Sequence, residues 1–387
     1  MVSSAVSDLD ADLARIDADL REPARDPAGL ALHAGRLYQR AALTGSSTDL
    51  LKAEALVERA LAVALERSDL YLLKANLDFA FHRLADVRAD LEASPALRAS
   101  PDGRALAADL AFQEGRFPDA RRGYEETLIA DRAWEHLCRL AHLEGVLGET
   151  ARADALYEEA GEALTAKEMR AFAWVEIQRG LLHLKRGRLD RARAHYARAE
   201  AAYTGYWIVD DHMAELLAAE GDVEGALRAY RALARRVDRP EMWQTLGELC
   251  TFAGIDDEAE LALTRARDAY LASVGRGEVR YYHHLADFLA DVRPDPEQAV
   301  IFAAKDLELR ENPWTLTALA WALHRAGRSV EGATLARKAL ESDVVDAHLF
   351  HRAGTILAAA GFRDRAVELL ARARDWNPRL GAFHVHR

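Results

Sequence analysis

A glycine, and five positions later a small residue, return along this 387-residue chain at a nearly fixed interval. The small residue stands at Ala53, Val87, Ala120, Ala153, Ala192, Ala226, Ala259, Ala299, Gly332 and Ala366, with successive gaps of 34, 33, 33, 39, 34, 33, 40, 33 and 34. The glycine occurs in seven of the ten copies, at Gly115, Gly148, Gly187, Gly221, Gly254, Gly327 and Gly361. Such a period allows few folds. A first helix ends on a residue that can turn left-handed, the chain reverses tightly, and a second helix starts at once. A helix pair of that size cannot bury its own apolar face, so the copies must stack on one another. Length alone would suggest two or three domains; the repeat replaces that expectation with one continuous array.

The best-formed copy is residues 238–272, where Trp243, Leu246, Gly247, Cys250, Gly254, Ala259, Leu263 and Ala266 mark two amphipathic helices around a glycine turn. This pattern resembles the tetratricopeptide repeat, a helix–turn–helix of about 34 residues. Tyr124, Tyr157, Tyr196 and Tyr230, each four residues after the small residue, occupy a slot that the family fills with an aromatic. The resemblance implies an all-α, right-handed superhelical solenoid of about ten repeats, the first two degenerate, making somewhat more than one full turn. It also implies a concave groove that holds partners and seldom does chemistry.

The array has readable ends. Leu9, Leu13, Ile16 and Leu20 recur at helical spacing and predict a helix over 8–21, within an N-terminal capping segment 1–25. The solenoid is expected over 26–376 and a tail over 377–387. Asp26-Pro27, Ser100-Pro101, Asp295-Pro296 and Asn312-Pro313 are helix starts, each a capping side chain followed by a first-turn proline. The two longer gaps predict a lengthened helix or loop before Ala192 and before Ala299. In the eighth repeat the turn DVRPDPEQ reads as one residue too long.

Helical arithmetic separates two faces on each first helix. Counting from a crossing slot twelve residues before the small residue, positions four before, one before and three after share the buried face at ~100° per residue. Trp243, Leu246 and Cys250 fit it, as do Phe350, Ala353 and Leu357, and Tyr282, Leu285 and Leu289 once the eighth repeat is shifted by one. A second cluster about 140° away lines the groove in proteins with this pattern. There the sequence places Asp102, Asp109, Phe112, Gln113, Glu135, His142, Trp174, Lys185, Asp211, Glu215, Glu241, Gln244, Glu248, Arg280, His283, Asp287, Asp291, Trp314, Thr317, Trp321, His324, Arg325, His348 and His351. Cys138 also counts to a groove slot, whereas Cys250 counts to the core.

Two functions fit this face. The leading expectation is a non-catalytic scaffold whose acidic, aromatic groove holds a basic peptide, protein segment or other cationic ligand, with Asp211, Glu215, Gln244, Glu248, Trp314 and Trp321 as binding residues. Nine carboxylates against three cations in the groove slots motivate it. The alternative is a divalent transition metal held by His212, His283, His284, Asp287, His324, His348 and His351, in repeats six to ten. His283 and Asp287 are four apart, and His348 and His351 three apart, so each pair shares a helix face. His384 and His386 follow in the tail. Each motif also has a structural reading: a solvated acidic face, a tautomer-fixing histidine–carboxylate pair, or tryptophans packed between repeats.

Composition closes other routes. Lys+Arg 51 against Asp+Glu 63 gives a net charge of −12, which lacks the basic footprint of non-specific nucleic-acid binding. Two isolated cysteines make no disulfide framework or CxxC zinc pattern. HExxH, GxSxG and P-loop motifs are absent, so no catalytic set can be nominated and a metal-dependent enzyme is the one enzymatic reading left open. The family's carboxylate clamp needs lysine, asparagine and arginine together, but Asn76 and Lys185 are isolated. The first residues carry no signal-peptide pattern and no apolar run reaches ~18 residues, so the expectation is a cytoplasmic protein. A trimmed secreted chain restarted with methionine would read the same.

Overall fold

The computed structural model describes residues 1–19, 26–237 and 239–383. Among the described residues, helix α1 (Val2–Asp19) precedes ten helix pairs. The first are α2 (Pro27–Thr44) with α3 (Ser47–Leu61) and α4 (Ser68–Ala80) with α5 (Leu84–Ala93). After the short α6 (Pro95–Ala99) come α7 (Pro101–Gln113) with α8 (Phe117–Ala130), and α9 (Trp134–Val146) with α10 (Thr150–Glu162). Next are α11 (Met169–Leu184) with α12 (Leu189–Ala202), α13 (Trp207–Glu220) with α14 (Val223–Arg236), and α15 (Pro240–Phe252) with α16 (Asp256–Gly275). The last are α17 (Tyr282–Asp287), continued by a π-helical turn Phe288–Val292, with α18 (Pro296–Leu309), then α19 (Pro313–Arg325) with α20 (Ser329–Ala339), and α21 (Ala347–Ala359) with α22 (Arg363–Trp376). Among the described residues there is no strand: the fold is an all-α solenoid of stacked helix pairs. Helix α1 begins six residues before the expected start at residue 8, and Leu20 lies outside the described residues.

The punctuation works as capping chemistry. Asp26 accepts from the amides of Ala28 and Gly29, Ser100 from Gly103, Asp295 from Gln298, and Asn312 from Trp314 and Thr315. Each such cap stabilises its helix by about 1 kcal/mol, and the following proline stands where a missing N–H costs nothing. All seven repeat glycines have positive φ, between +64° and +92°. At the crossing slot of the fifth repeat the demand is steric. A Cβ on Gly180 would lie 2.1 Å from Cε1 of the fully buried Tyr196, so only glycine lets α11 and α12 approach this closely.

The irregular spacings have physical counterparts. The 39-residue gap holds the 16-residue α11, and the 40-residue gap holds the 20-residue α16. The extra residue of the eighth repeat is in the helix itself, not in the following turn. The Arg293 amide donates to the Phe288 carbonyl at 2.9 Å, an i→i+5 bond. The wide turn absorbs the insertion while Leu285 and Leu289 both stay buried.

The superhelix closes on itself. Trp207 Nε1 donates to the Ala42 carbonyl at 3.2 Å, and Arg239 Nε to the Gly45 carbonyl at 3.1 Å. Asn312 Nδ2 donates to the Gln113 carbonyl at 2.8 Å, and the Val345 amide to the Val146 carbonyl at 3.0 Å. The Arg186 guanidinium lies 3.6 Å from the Trp376 ring centroid. The Arg239, Asn312 and Val345 contacts join residues almost 200 apart, about six repeats of ~34 residues per superhelical turn. The turn glycines of the first coil are where the second coil lands: Gly148 faces Val345 and Trp376, and Gly187 faces Asn377 and Arg379. Beyond α22 the chain continues to Phe383, which is buried with Met242 and Leu246 and meets the Phe252 ring at 5.9 Å.

One apolar core therefore spans both coils, uniting Leu137, Cys138 and Leu140 with Val344, Leu349 and Phe350. Cys138 is buried in it, contrary to its groove-slot count, because the second coil covers that part of the inner face.

Candidate functional site

Between the two coils lies a cavity of about 510 Å³. One wall comes from repeats three to five: Phe112, Gln113, His142, Gln178, Leu181 and Lys185. The facing wall comes from repeats seven to ten: Gln244, Glu248, His283, His284, Asp287, Asp291, Trp314, Thr317, His348 and Arg352. The coil closure that shapes it follows from the repeat pitch, so residues far apart in sequence face one another.

Its aromatic end is fixed by packing. Trp314 is half-buried, 5.9 Å from Phe112 and 6.0 Å from Phe117 between ring centroids, and Phe112 meets His142 at 5.3 Å. Trp314 thus serves both readings at once, bridging the coils and presenting an edge to the cavity. Trp321 donates from Nε1 to Asp291 at 2.8 Å and lies under the Arg352 guanidinium at 5.5 Å; it is not among the cavity-lining residues.

The polar end is an interlocked ion network. Arg352 Nη1 lies 2.9 Å from Asp287, and His283 Nε2 is 3.5 Å from the same carboxylate. His283 Nδ1 is 3.6 Å from Asp306, which Arg310 approaches at 3.3 Å. Burial alone would raise the Asp306 carboxyl, but His283 and Arg310 outweigh it and hold it down to about 2. Asp287 likewise ends below its ordinary value, where burial is outweighed by Arg352 and His283. Burial would deprotonate His283, yet Asp306 and Asp287 raise its pKa. His142 is driven down to about 4 by burial and then by Lys185. The lining carboxylates Glu248, Asp287, Asp291 and Asp346 meet Lys185, Arg310 and Arg352, so the cavity is more nearly balanced than the groove-slot count of acids suggests. Arg310 escapes that count because it lies after α18, and Arg352 because it falls outside the groove slots.

The remaining nominated residues divide between this cavity and other sites. Asp211, His212 and Glu215 are buried, not a solvated face. His212 stacks on Tyr196 at 5.8 Å, and the Asp211 carbonyl accepts from Tyr230. Glu215 lines a separate small cavity with Lys185 and His348. Gln244 donates to Glu248 at 2.8 Å and accepts from Tyr270. His284 stacks on Tyr270 at 6.2 Å, His324 bonds Ser329 at 2.9 Å, and His351 is exposed. His384 and His386 lie outside the described residues. Thus His283, His284, Asp287 and His348 line one cavity, whereas His212, His324 and His351 do not.

Among the described residues, one group of three has ligand atoms within 4.8 Å of one another: Asp154, His183 and His195, in repeats four and five. It contains none of the nominated ligands. The sequence carried a signal for it, because the buried-face slots of the fifth repeat are Glu176, Arg179 and His183, all polar.

No protein-family model matches the chain, and no curated protein does. Among solved structures it is similar to yeast Tom70, with 14% identity and a TM-score of 0.41 over 96% of this chain and 89% of that one. It is also similar to the APC/C hetero-tetramer Cut9–Hcn1 (18%, 0.44, 94% and 81%) and to human IFIT1, a dimer with PPP-AAAA (14%, 0.49, 95% and 93%). At these values the likenesses carry no functional inference. No helix among the described residues is long and apolar enough to cross a membrane.

Proposed function

We propose that this chain is a binding scaffold that takes a short basic peptide segment, or another cationic group of similar size, into the cavity between its two coils. The observation that carries this reading is the cavity itself. Its volume of about 510 Å³ falls within the ~300–1,000 Å³ range of ligand pockets, and it combines apolar walls with a few convergent polar groups. That volume admits a few side chains, not the face of a folded partner.

The charges support a cation at one place more than another. Asp287 and Asp306 are engaged by arginines, so an incoming cation gains least there. Glu248 also lines the cavity wall, where it accepts from the Gln244 amide at 2.8 Å, and is a carboxylate that an incoming cation can approach. Phe112 and Trp314 then offer rings to the aliphatic stem of a lysine or arginine. A metal in repeats six to ten is the weaker reading, because its best carboxylate, Asp287, is occupied by Arg352 and the raised pKa of His283 favours imidazolium, which cannot ligate.

Calorimetric titration of the full chain with matched short basic and acidic peptides tests the proposal. Basic peptides should bind, and Glu248→Gln should weaken them about tenfold, the loss of one charge-assisted hydrogen bond. A preference for acidic peptides, or an unchanged affinity in Glu248→Gln, removes the reading.

A further inference from the structure

Two histidines that the groove does not use lie in the wall between repeats four and five. His183, near the end of α11, is 2% exposed, and His195, in α12, is 6% exposed. Their rings stack with centroids 5.3 Å apart. Asp154 on α10 reaches the same point, so one ring nitrogen of each histidine and one carboxylate oxygen all lie within 4.8 Å of one another.

Three features distinguish this cluster from an ordinary polar contact. His183 Nδ1 is buried without a hydrogen-bond partner, an arrangement that costs stability unless something supplies a partner. His195 Nδ1 lies 2.9 Å from the buried Glu176 carboxylate and 2.5 Å from the Arg198 guanidinium, so Nε2 is the nitrogen not engaged by these groups. A carboxylate on the far nitrogen is the arrangement that orients a metal-bound imidazole and raises its basicity. Asp154 is itself held, with Oδ1 accepting from Arg179 at 2.8 Å.

We propose that Asp154, His183 and His195 form a binding site for a divalent transition metal ion of the zinc class, with Glu176 and Arg179 as its positioning residues. Two imidazoles and a carboxylate are the donor set that zinc prefers over calcium or magnesium. With metal–ligand bonds of ~2.1 Å, tetrahedral donors sit about 3.4 Å apart, so side-chain rotation can close the cluster around an ion. Asp154 is partly exposed, so a water molecule would supply the fourth ligand from solvent. The ligands come from α10, α11 and α12, so the ion would pin repeat four to repeat five, beside the wall that carries Lys185.

The test uses the full chain, stripped with chelator and dialysed. Zinc is titrated by calorimetry and cobalt(II) by its visible absorption. The expected result is one ion per chain and a tetrahedral cobalt spectrum. Asp154→Asn and His195→Asn should each lose that spectrum, and Glu176→Gln should bind about 10- to 100-fold more weakly. Asp154 is partly exposed, so Asp154→Asn should fold; circular dichroism in chelator checks this for each variant. His348→Ala and the double change His384→Ala, His386→Ala should leave binding intact. No uptake at millimolar ion overturns the proposal. So does uptake unchanged in Asp154→Asn, or abolished by the tail changes.

Discussion

Asn312 makes two separable contributions, and substituting it measures how firmly the coils are joined. The residue is 4% exposed. Its Oδ1 caps α19 through the amides of Trp314 and Thr315, at 3.1 and 3.0 Å, while its Nδ2 donates across the coils to the Gln113 carbonyl at 2.8 Å. Asn312→Ala removes both. The cap is worth about 1 kcal/mol and the inter-coil bond about 1 kcal/mol, so local opening should be favoured by about 2 kcal/mol, or about 30-fold. Asn312→Ser keeps a good cap and removes only the inter-coil donor, for about 1 kcal/mol, or about fivefold. Long repeat arrays do not melt as one unit, so hydrogen exchange read by mass spectrometry is the suitable assay. In Asn312→Ser, peptides covering 111–116 should exchange about fivefold faster while those covering 313–318 stay near the wild-type rate. In Asn312→Ala both should rise. If Asn312→Ser leaves 111–116 untouched, the coils are not held by this contact and the closure argument fails there.

Three further outcomes follow from the same structure. Gly148→Ala should destabilise by about 1–2 kcal/mol for the left-handed backbone plus about 1–3 kcal/mol for overpacking, because its Cβ would sit 3.0 Å from Val345. Gly327→Ala, with an open site, should cost only the first term, and equal losses by chemical denaturation would refute the inter-coil contact. His82 sits at φ +60° with its pKa pushed down to about 3, by burial first and then by Arg310. Its depressed value means its contribution to stability is present above about pH 6.5 and is lost as pH falls toward 3, by up to ~1.4 kcal/mol per pH unit. His82→Asn, which tolerates that backbone, should flatten melting against pH between about 6.5 and 4; an unchanged slope would point to other groups. Burial is the first cause that raises the thiols of Cys138 to about 12 and Cys250 to about 11, with Glu135 and Glu258 adding to it. Both should therefore resist thiol reagents at about pH 8 in the native state and react on unfolding; rapid native labelling would show that the core opens more readily than this packing allows.

The sequence made the helix pairs legible because their determinants are local. The turn glycines, the capping residues before proline and the buried-face slots each depend on neighbours within one repeat, and Leu246, Cys250, Phe350 and Leu357 are buried where the arithmetic puts them. The coil closure was not legible, because it depends on a small rotation summed over about six repeats of ~34 residues. That closure buried Cys138 and turned an open groove into a cavity. The Asp154, His183 and His195 cluster lies between these cases. His183 occupies a slot where the best repeat carries Cys250, so its polarity stood out in the sequence, but its partners on α10 and α12 are set only by how the repeats stack.

A solenoid whose turns touch behaves as a spring already at its closed length. It can extend but cannot shorten, so its softest motion is a separation of the coils along the superhelix axis. Arg239 on Gly45, Asn312 on Gln113 and Val345 on Val146 resist that motion in parallel, each a latch about one repeat or more from the next. Passage into the cavity by this route requires several latches to release together, which makes access to it a mechanical property of the whole coil and not of any single repeat.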